Sequence, residues 1–225
     1  MFTNWVQISQ KISILGGGRM QEFSNIYIID KSLERRSDVC RKATSANFVA
    51  QPFANIEELG NRWPKSGYFL IADEHGALED LVSGIKESGE YLPIISYRPG
   101  PSPTDVLRSM RAGSIDYLAY PFQSAELVES ITRIEREWKS VVARNRDHIY
   151  ATRRIGTLSE REFSVLRCMS IGSSNKGIAR ELGISPRTVE IHRANLIDKL
   201  NVENTVNAIR LNWEASQSSV AKLNV

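Results

Sequence analysis

From residue 26 onward the chain alternates short apolar runs with longer amphipathic stretches. The runs IYIID (26–30), NFVAQ (47–51), YFLIAD (68–73), LPIISY (92–97) and DYLAY (116–120) have strand length and are rich in Ile, Tyr, Phe and Leu. Between them lie segments of helical length, such as LEDLVSGIKESG (78–89) and TDVLRSMRAG (104–113). Near-continuous apolar strands that alternate with helices predict a parallel sheet covered on both faces, a (βα)5 doubly wound α/β unit. Functional groups in such sheets gather beyond the carboxyl ends of the strands. Asp30 and Asp73 stand at two of these ends.

Leu127, Ile131, Ile134 and Trp138 then keep a helical period. The charges in RIEREWK read as a solvated helix face, and a polar linker is expected over residues 140–156. Residues 1–24 carry no clear period. They are read as an N-terminal extension, either a disordered tail or a segment preceding a start at Met20. The α/β unit is thus expected over 25–139 and a C-terminal unit over 157–225.

That last third changes period and reads as four short helices. Ser159 and Glu162 form a capping box, followed by an apolar face of Phe163, Leu166 and Met169. Ser174 or Asn175 caps the next helix, which points Ile178, Ala179 and Leu182 inward before Gly183 turns the chain. Ser185 is a good N-cap, and Pro186 suits the first helical position. Over about 186–200, Val189, Leu196 and Leu200 form a buried stripe with His192 at its edge. Val206, Ile209 and Trp213 give a fourth helix its apolar face.

Two helices joined by a tight Gly-containing turn suit a helix-turn-helix, whose second helix enters the major groove. Opposite the buried stripe lie Glu190, Ile191 and Ala194, which could read base edges: Glu accepts from cytosine, and Ile or Ala touches a thymine methyl. Asn175, Lys176, Arg187, Thr188, Arg193 and Lys199 flank that face as candidate phosphate contacts. A plain helical bundle with solvated basic residues fits the same pattern.

Charge adds modest support for a polyanion partner. Residues 151–225 hold 11 Lys and Arg against 7 Asp and Glu, whereas the chain as a whole has a net charge of +3. No apolar run is long enough to span a bilayer, so no membrane association is expected. Cys40 and Cys168 suggest neither a metal site nor a disulfide framework, and a reducing cytoplasm is the expected setting.

Two resemblances sharpen these readings. LSEREFSVLRCMSIGSSNKGIARELGISPRTVEIHRANLIDKL resembles the output domain of FixJ, in the NarL/LuxR class of bacterial regulators. It implies a four-helix domain whose third helix reads DNA through Glu190, Ile191 and Ala194. The helix carrying Val206, Ile209 and Trp213 would then be the dimer contact. Residues 25–140 resemble a response-regulator receiver domain: IID at the first strand end, LIAD at the third, MRAGSIDYLAYPF and Pro121 carry the likeness. The resemblance makes Asp73 the possible phosphoacceptor and Tyr117 the switch aromatic, and it implies a cis bond before Pro121. It also shows three departures. Lys31 stands where the family has a second acid, Arg98 where it has Thr or Ser, and Tyr120 where it has the lysine before the proline. Ser96 would be the hydroxyl only with an insertion in the following loop.

Phosphoryl transfer to a carboxylate needs Mg²⁺ held by hard oxygen ligands. Lys31 would oppose that ion, and Arg98 is expected to pair with Asp73. Glu74 is a weak replacement ligand. The sequence therefore predicts a DNA-binding dimeric transcriptional regulator without enzymatic activity or cofactor. Its receiver is expected to dimerise through its fourth and fifth helices and to answer to a sensor kinase, another protein or a small ligand. Three rivals remain: a conventional regulator switched by Mg²⁺-dependent phosphorylation of Asp73, a protein-interaction module with little DNA binding, and an enzyme, for which Asp30 and Asp73 would serve as an acid/base pair only if Lys31 and Arg98 left one of them free.

Overall fold

The computed structural model describes residues 24–60 and 63–217. The expected N-terminal extension, apart from Ser24, lies outside them. Five strands, β1 (Asn25–Ile29), β2 (Val49–Phe53), β3 (Tyr68–Ala72), β4 (Ile94–Pro99) and β5 (Asp116–Tyr120), form one parallel sheet in the order β2-β1-β3-β4-β5. β3 is buried throughout, and so are β1 beyond its first residue and β4 up to Tyr97, which accounts for their unbroken apolar sequences. β2 is an edge strand, where Pro52 costs no ladder bond on the open side. Helices α1 (Leu33–Ser45), α2 (Ala77–Ser88), α3 (Pro103–Ala112) and α4 (Ser124–Glu137) connect and flank the strands. The β2–β3 crossover holds a short 3-10 turn, Glu57–Leu59. The doubly wound class is as expected.

Short polar signals fix where these helices start. The Ser32 hydroxyl accepts from Arg35 N–H, and Ser102 and Asp105 form a reciprocal capping box ahead of Pro103. Starting α1 at this point places Arg35 in its first turn, beside the end of β1.

Residues 140–156, expected as a polar linker, are mostly helix: α5 runs Lys139–Ile155. Its polar side chains had masked a narrow buried face. Ile149 joins the apolar cluster of the sheet unit, and Ala151 belongs to the cluster of the C-terminal helices. Asn145 Nδ2 donates to Tyr91 Oη at 3.0 Å, and His148 Nδ1 lies 3.0 Å from the carbonyl of Glu214. α5 therefore touches both units. None of the described helices is long and apolar enough to cross a membrane.

Four helices complete the C-terminal unit: α6 (Glu160–Ser170), α7 (Asn175–Leu182), α8 (Pro186–Leu200) and α9 (Thr205–Ser216). Ser159 and Glu162 close the capping box, Ser174 caps α7, and Gly183 turns the chain at φ 66°. Val165, Leu166, Cys168, Met169, Ile178, Val189, Leu196, Leu200 and Leu211 fill the core. Phe163, expected inside, is 40% exposed, because Val165 and Cys168 take the inner face of α6.

Candidate functional sites

At the carboxyl end of the sheet a guanidinium sits among carboxylates. Arg35 Nε donates to Asp30 Oδ2 at 2.6 Å and Nη2 to Asp30 Oδ1 at 2.9 Å. The other edge of the same guanidinium donates to Glu74, Nη1 to Oε1 at 3.1 Å and Nη2 to Oε2 at 2.7 Å. Asp30 receives two more bonds, Ser32 N–H on Oδ1 at 2.8 Å and Tyr97 Oη–H on Oδ2 at 2.7 Å. A carboxylate offers about four lone-pair sites. All four on Asp30 are taken, and its side chain is fully buried. Asp30 thus has no lone pair left for a metal ion, and the position beside it is held by a fixed cation. The Asp30 bond, followed by Glu74, raises the Arg35 pKa, so the guanidinium stays charged. Burial, then the Asp30 charge, pushes the Tyr97 hydroxyl well above its usual range, which keeps it a donor.

Asp73 follows β3 and is also buried, but its environment is looser. Arg108 Nη2 reaches its two oxygens at 3.3 and 3.2 Å, and Tyr117 Oη lies at 3.4 Å. Arg98, expected to grip Asp73, instead donates to Asp105 at 3.0 Å; the role falls to Arg108, one helix further along. The strand register still places Arg98 beside Asp73: Ala72 pairs with Tyr97, and Asp73 N–H bonds the Tyr97 carbonyl at 2.8 Å. Ser96 therefore does not stand at the switch position. It is sealed in a hydroxyl cluster with Ser114 and Ser109. Lys31 is exposed and makes no ion pair among the described residues, because Arg35 reaches the carboxylates from inside. The Tyr120–Pro121 bond is cis. Tyr120 Oη donates to Asp38 on α1 at 3.1 Å, with the Lys42 ammonium 5.1 Å from its ring centre. Arg35, Arg108 and Tyr97 were not singled out from the sequence. The only signal for Arg35 was the Ser32 cap that fixes the first turn of α1.

The second site is the outer face of α8. Glu190, Ile191 and Ala194 are all exposed, Ile191 to 52%. Lys176 and Arg187 are exposed beside them. The other flanking residues are engaged within the fold. Arg193 donates to the side chains of Asn175 and Thr205, and Lys199 donates to the buried Glu162 at 2.8 Å. Thr188 Oγ1 bonds Ser185 Oγ at 2.8 Å. Burial acts to raise the Glu162 carboxyl, but Lys199 and the Ser159 donors outweigh it and hold it below its ordinary value. These bonds fix α8 against α6, α7 and α9. Exposed Arg180 on α7, unmarked in the sequence reading, joins Lys176 and Arg187 as a third exposed cation. On α9, Val206 and Trp213 are 73% and 62% exposed, Ile209 is half-buried, and Ala208 and Leu211 face the core.

Residues 156–212 match the model of the bacterial regulatory proteins of the luxR family. The transcriptional regulatory protein TdiR of Thauera aromatica is 31% identical over 199 residues, covering 81% of this chain and 82% of TdiR. The chain belongs to the FixJ/NarL family of response regulators. The FixJ protein of Rhizobium meliloti strain 1021 shares 37% identity with this response regulator over 105 residues, which is 47% of this chain and about half (52%) of that relative's length. The crystal structure of full-length FixJ from B. japonicum aligns with 87% of this response regulator and 98% of its own chain, at 25% identity and a TM-score of 0.46.

Proposed function

We propose that this protein binds DNA as a dimer and regulates transcription, with a receiver that is not switched by Mg²⁺-dependent phosphorylation of Asp73. The observation that carries the second part is the saturation of Asp30: four bonds fill its lone pairs, two of them from the Arg35 guanidinium. Mg²⁺ demands near-octahedral oxygen coordination, and the residues here do not fit it. Lys31 and Tyr120 stand where an acid and a lysine would be needed. DNA binding is supported by the exposed face of α8 and the family match. A helix presenting Glu190, Ile191 and Ala194 to solvent, with Lys176 and Arg187 at its flanks, suits groove insertion with backbone anchoring. Exposed Val206 and Trp213 on α9 support dimerisation through that helix, since a palindromic site multiplies a modest half-site affinity.

The test exposes the purified protein to a small phosphodonor and Mg²⁺, beside Asp73→Ala. Intact mass is expected to show no phosphoryl adduct, and both proteins should bind the operator equally. A wild-type-only adduct that tightens DNA binding would restore the conventional switch. That rival rests on one feature: Asp73, unlike Asp30, is unsaturated and borders an open cleft of about 540 Å³.

The division of labour on α8 is tested separately. Glu190→Ala should relax base preference at one operator position, at about 1–3 kcal/mol of discrimination. Lys176→Ala should weaken all sequences alike and lower the salt slope by about one. Competition titrations against single-base operator variants at several salt concentrations read both. Equal loss of specificity in the two variants would contradict the assignment.

A further inference from the structure

Glu74 is in an unusual position for an acid. It immediately follows Asp73, is 29% exposed at its side chain, and lies end-on across the outer edge of the Arg35 fork. Two parallel N–H···O bonds of this kind are how a guanidinium recognises a free carboxylate. Glu74 also lines two cavities at once. One is the cleft beside Asp73. The other, about 190 Å³, is walled by Asp30, Lys31, Glu57, His75 and Asp80, with an apolar floor that includes Ile29, Ala54, Ile56 and Ala72. It opens between the ends of β1 and β3. In the order 2-1-3-4-5 this is the topological switch point, where open α/β sheets take their ligands. The backbone after Glu74 is left-handed at His75 (φ 53°) and Gly76 (φ 79°), so two consecutive residues hold the acid in its turn.

We propose that the Arg35 fork is a carboxylate-binding site which Glu74 closes from within, and that its ligand is a small monocarboxylate with a short apolar chain. The proposal deepens the reading of the receiver as a ligand-responsive rather than phosphorylated unit, and rests on that reading. The incoming carboxylate takes the two bonds of Glu74, and its chain takes the place of the Glu74 side chain at the wall of the cavity of about 190 Å³ that Glu74 lines. Glu74 moves to solvent. The ligand brings one further negative charge beside Glu57 and Asp80, which Glu74 partly offsets by moving into solvent, so binding is expected to tighten as salt concentration rises. The far edge of Arg35 remains on Asp30 throughout, and the buried pair is never broken. An amine or an alcohol of the same shape cannot satisfy the fork.

The test titrates the full chain with butyrate, formate and butyramide, by calorimetry and thermal shift, in wild type, Glu74→Ala and Glu74→Gln. Removing the internal competitor is expected to tighten butyrate binding about tenfold or more, in proportion to the fraction of time Glu74 occupies the fork. Butyramide should bind none of them. Adding Ala54→Leu to Glu74→Ala should abolish the preference for butyrate over formate by filling the cavity. The proposal falls if neither Glu74 variant takes up butyrate, if butyramide matches butyrate, or if Ala54→Leu leaves the chain-length preference intact. Phosphoryl adducts are scored in the same samples: an adduct on Asp73 with butyrate binding intact would sink the phosphorylation-independent reading alone.

Discussion

Replacing Arg35 with alanine should cost the fold about 3–5 kcal/mol, because it strands a buried carboxylate. The Asp30 side chain has no solvent contact, and Arg35 supplies two of the four bonds that neutralise it. Ser32 N–H and Tyr97 Oη–H would remain, but both are neutral donors. For a chain of this size the melting temperature should fall by roughly 6–20 °C. The companion variant separates charge from packing. Arg35→Met with Asp30→Asn removes both ions and should recover most of the loss, as buried pairs replaced together usually do. If Arg35→Ala melts with the wild type, Asp30 is not the saturated anion described above, and the argument against Mg²⁺ at this site loses its foundation.

Leu196→Ala should be the most damaging single change in the C-terminal helical unit. Leu196 is fully buried on the inner face of α8, in one cluster with Leu166, Ile178 and Val189. Truncation of such a leucine costs about 2–5 kcal/mol, depending on how far the site collapses. The same cavity frees α8 to shift against α7, so operator affinity should fall with stability. Ile191→Ala on the outer face provides the contrast. Ile191 is 52% exposed, so its loss should move stability by no more than about 0.5 kcal/mol while weakening operator binding. Melting curves and operator titrations on the two variants separate the faces. A Leu196→Ala protein with unchanged melting would mean that α8 is not held by this stripe.

Much of this architecture was legible because period and punctuation agree. DYLAY is β5 residue for residue, and the Ser159, Ser185 and Gly183 signals mark helix ends as the caps require. β2 falls at 49–53 rather than 47–51, since Asn47 and Phe48 turn the chain out of α1, Asn47 at φ 63°. The carboxylate cluster was harder to read. Arg35 looks like any surface charge on a helix, and only the placement of its first turn over the strand ends turns it inward. Arg98 and Arg108 are chemically identical, so the choice between them depends on where α3 sits above the sheet. Arg193 and Lys199 likewise read as free cations until the neighbouring helices bring Asn175, Thr205 and Glu162 to them.

The helix α5 bears on how this chain can be divided. Ile149 and Ala151, two residues apart, are committed to different apolar clusters. A fragment cut after Trp138 would leave the sheet unit without Ile149 and the Asn145 bond to Tyr91. One begun at Thr157 would strip Ala151 and His148 from the C-terminal helices. Whichever fragment keeps α5 exposes the stripe that faced the other. No single scissor point therefore yields two clean halves, and a truncation series across 139–156 should trade solubility of one piece against solubility of the other.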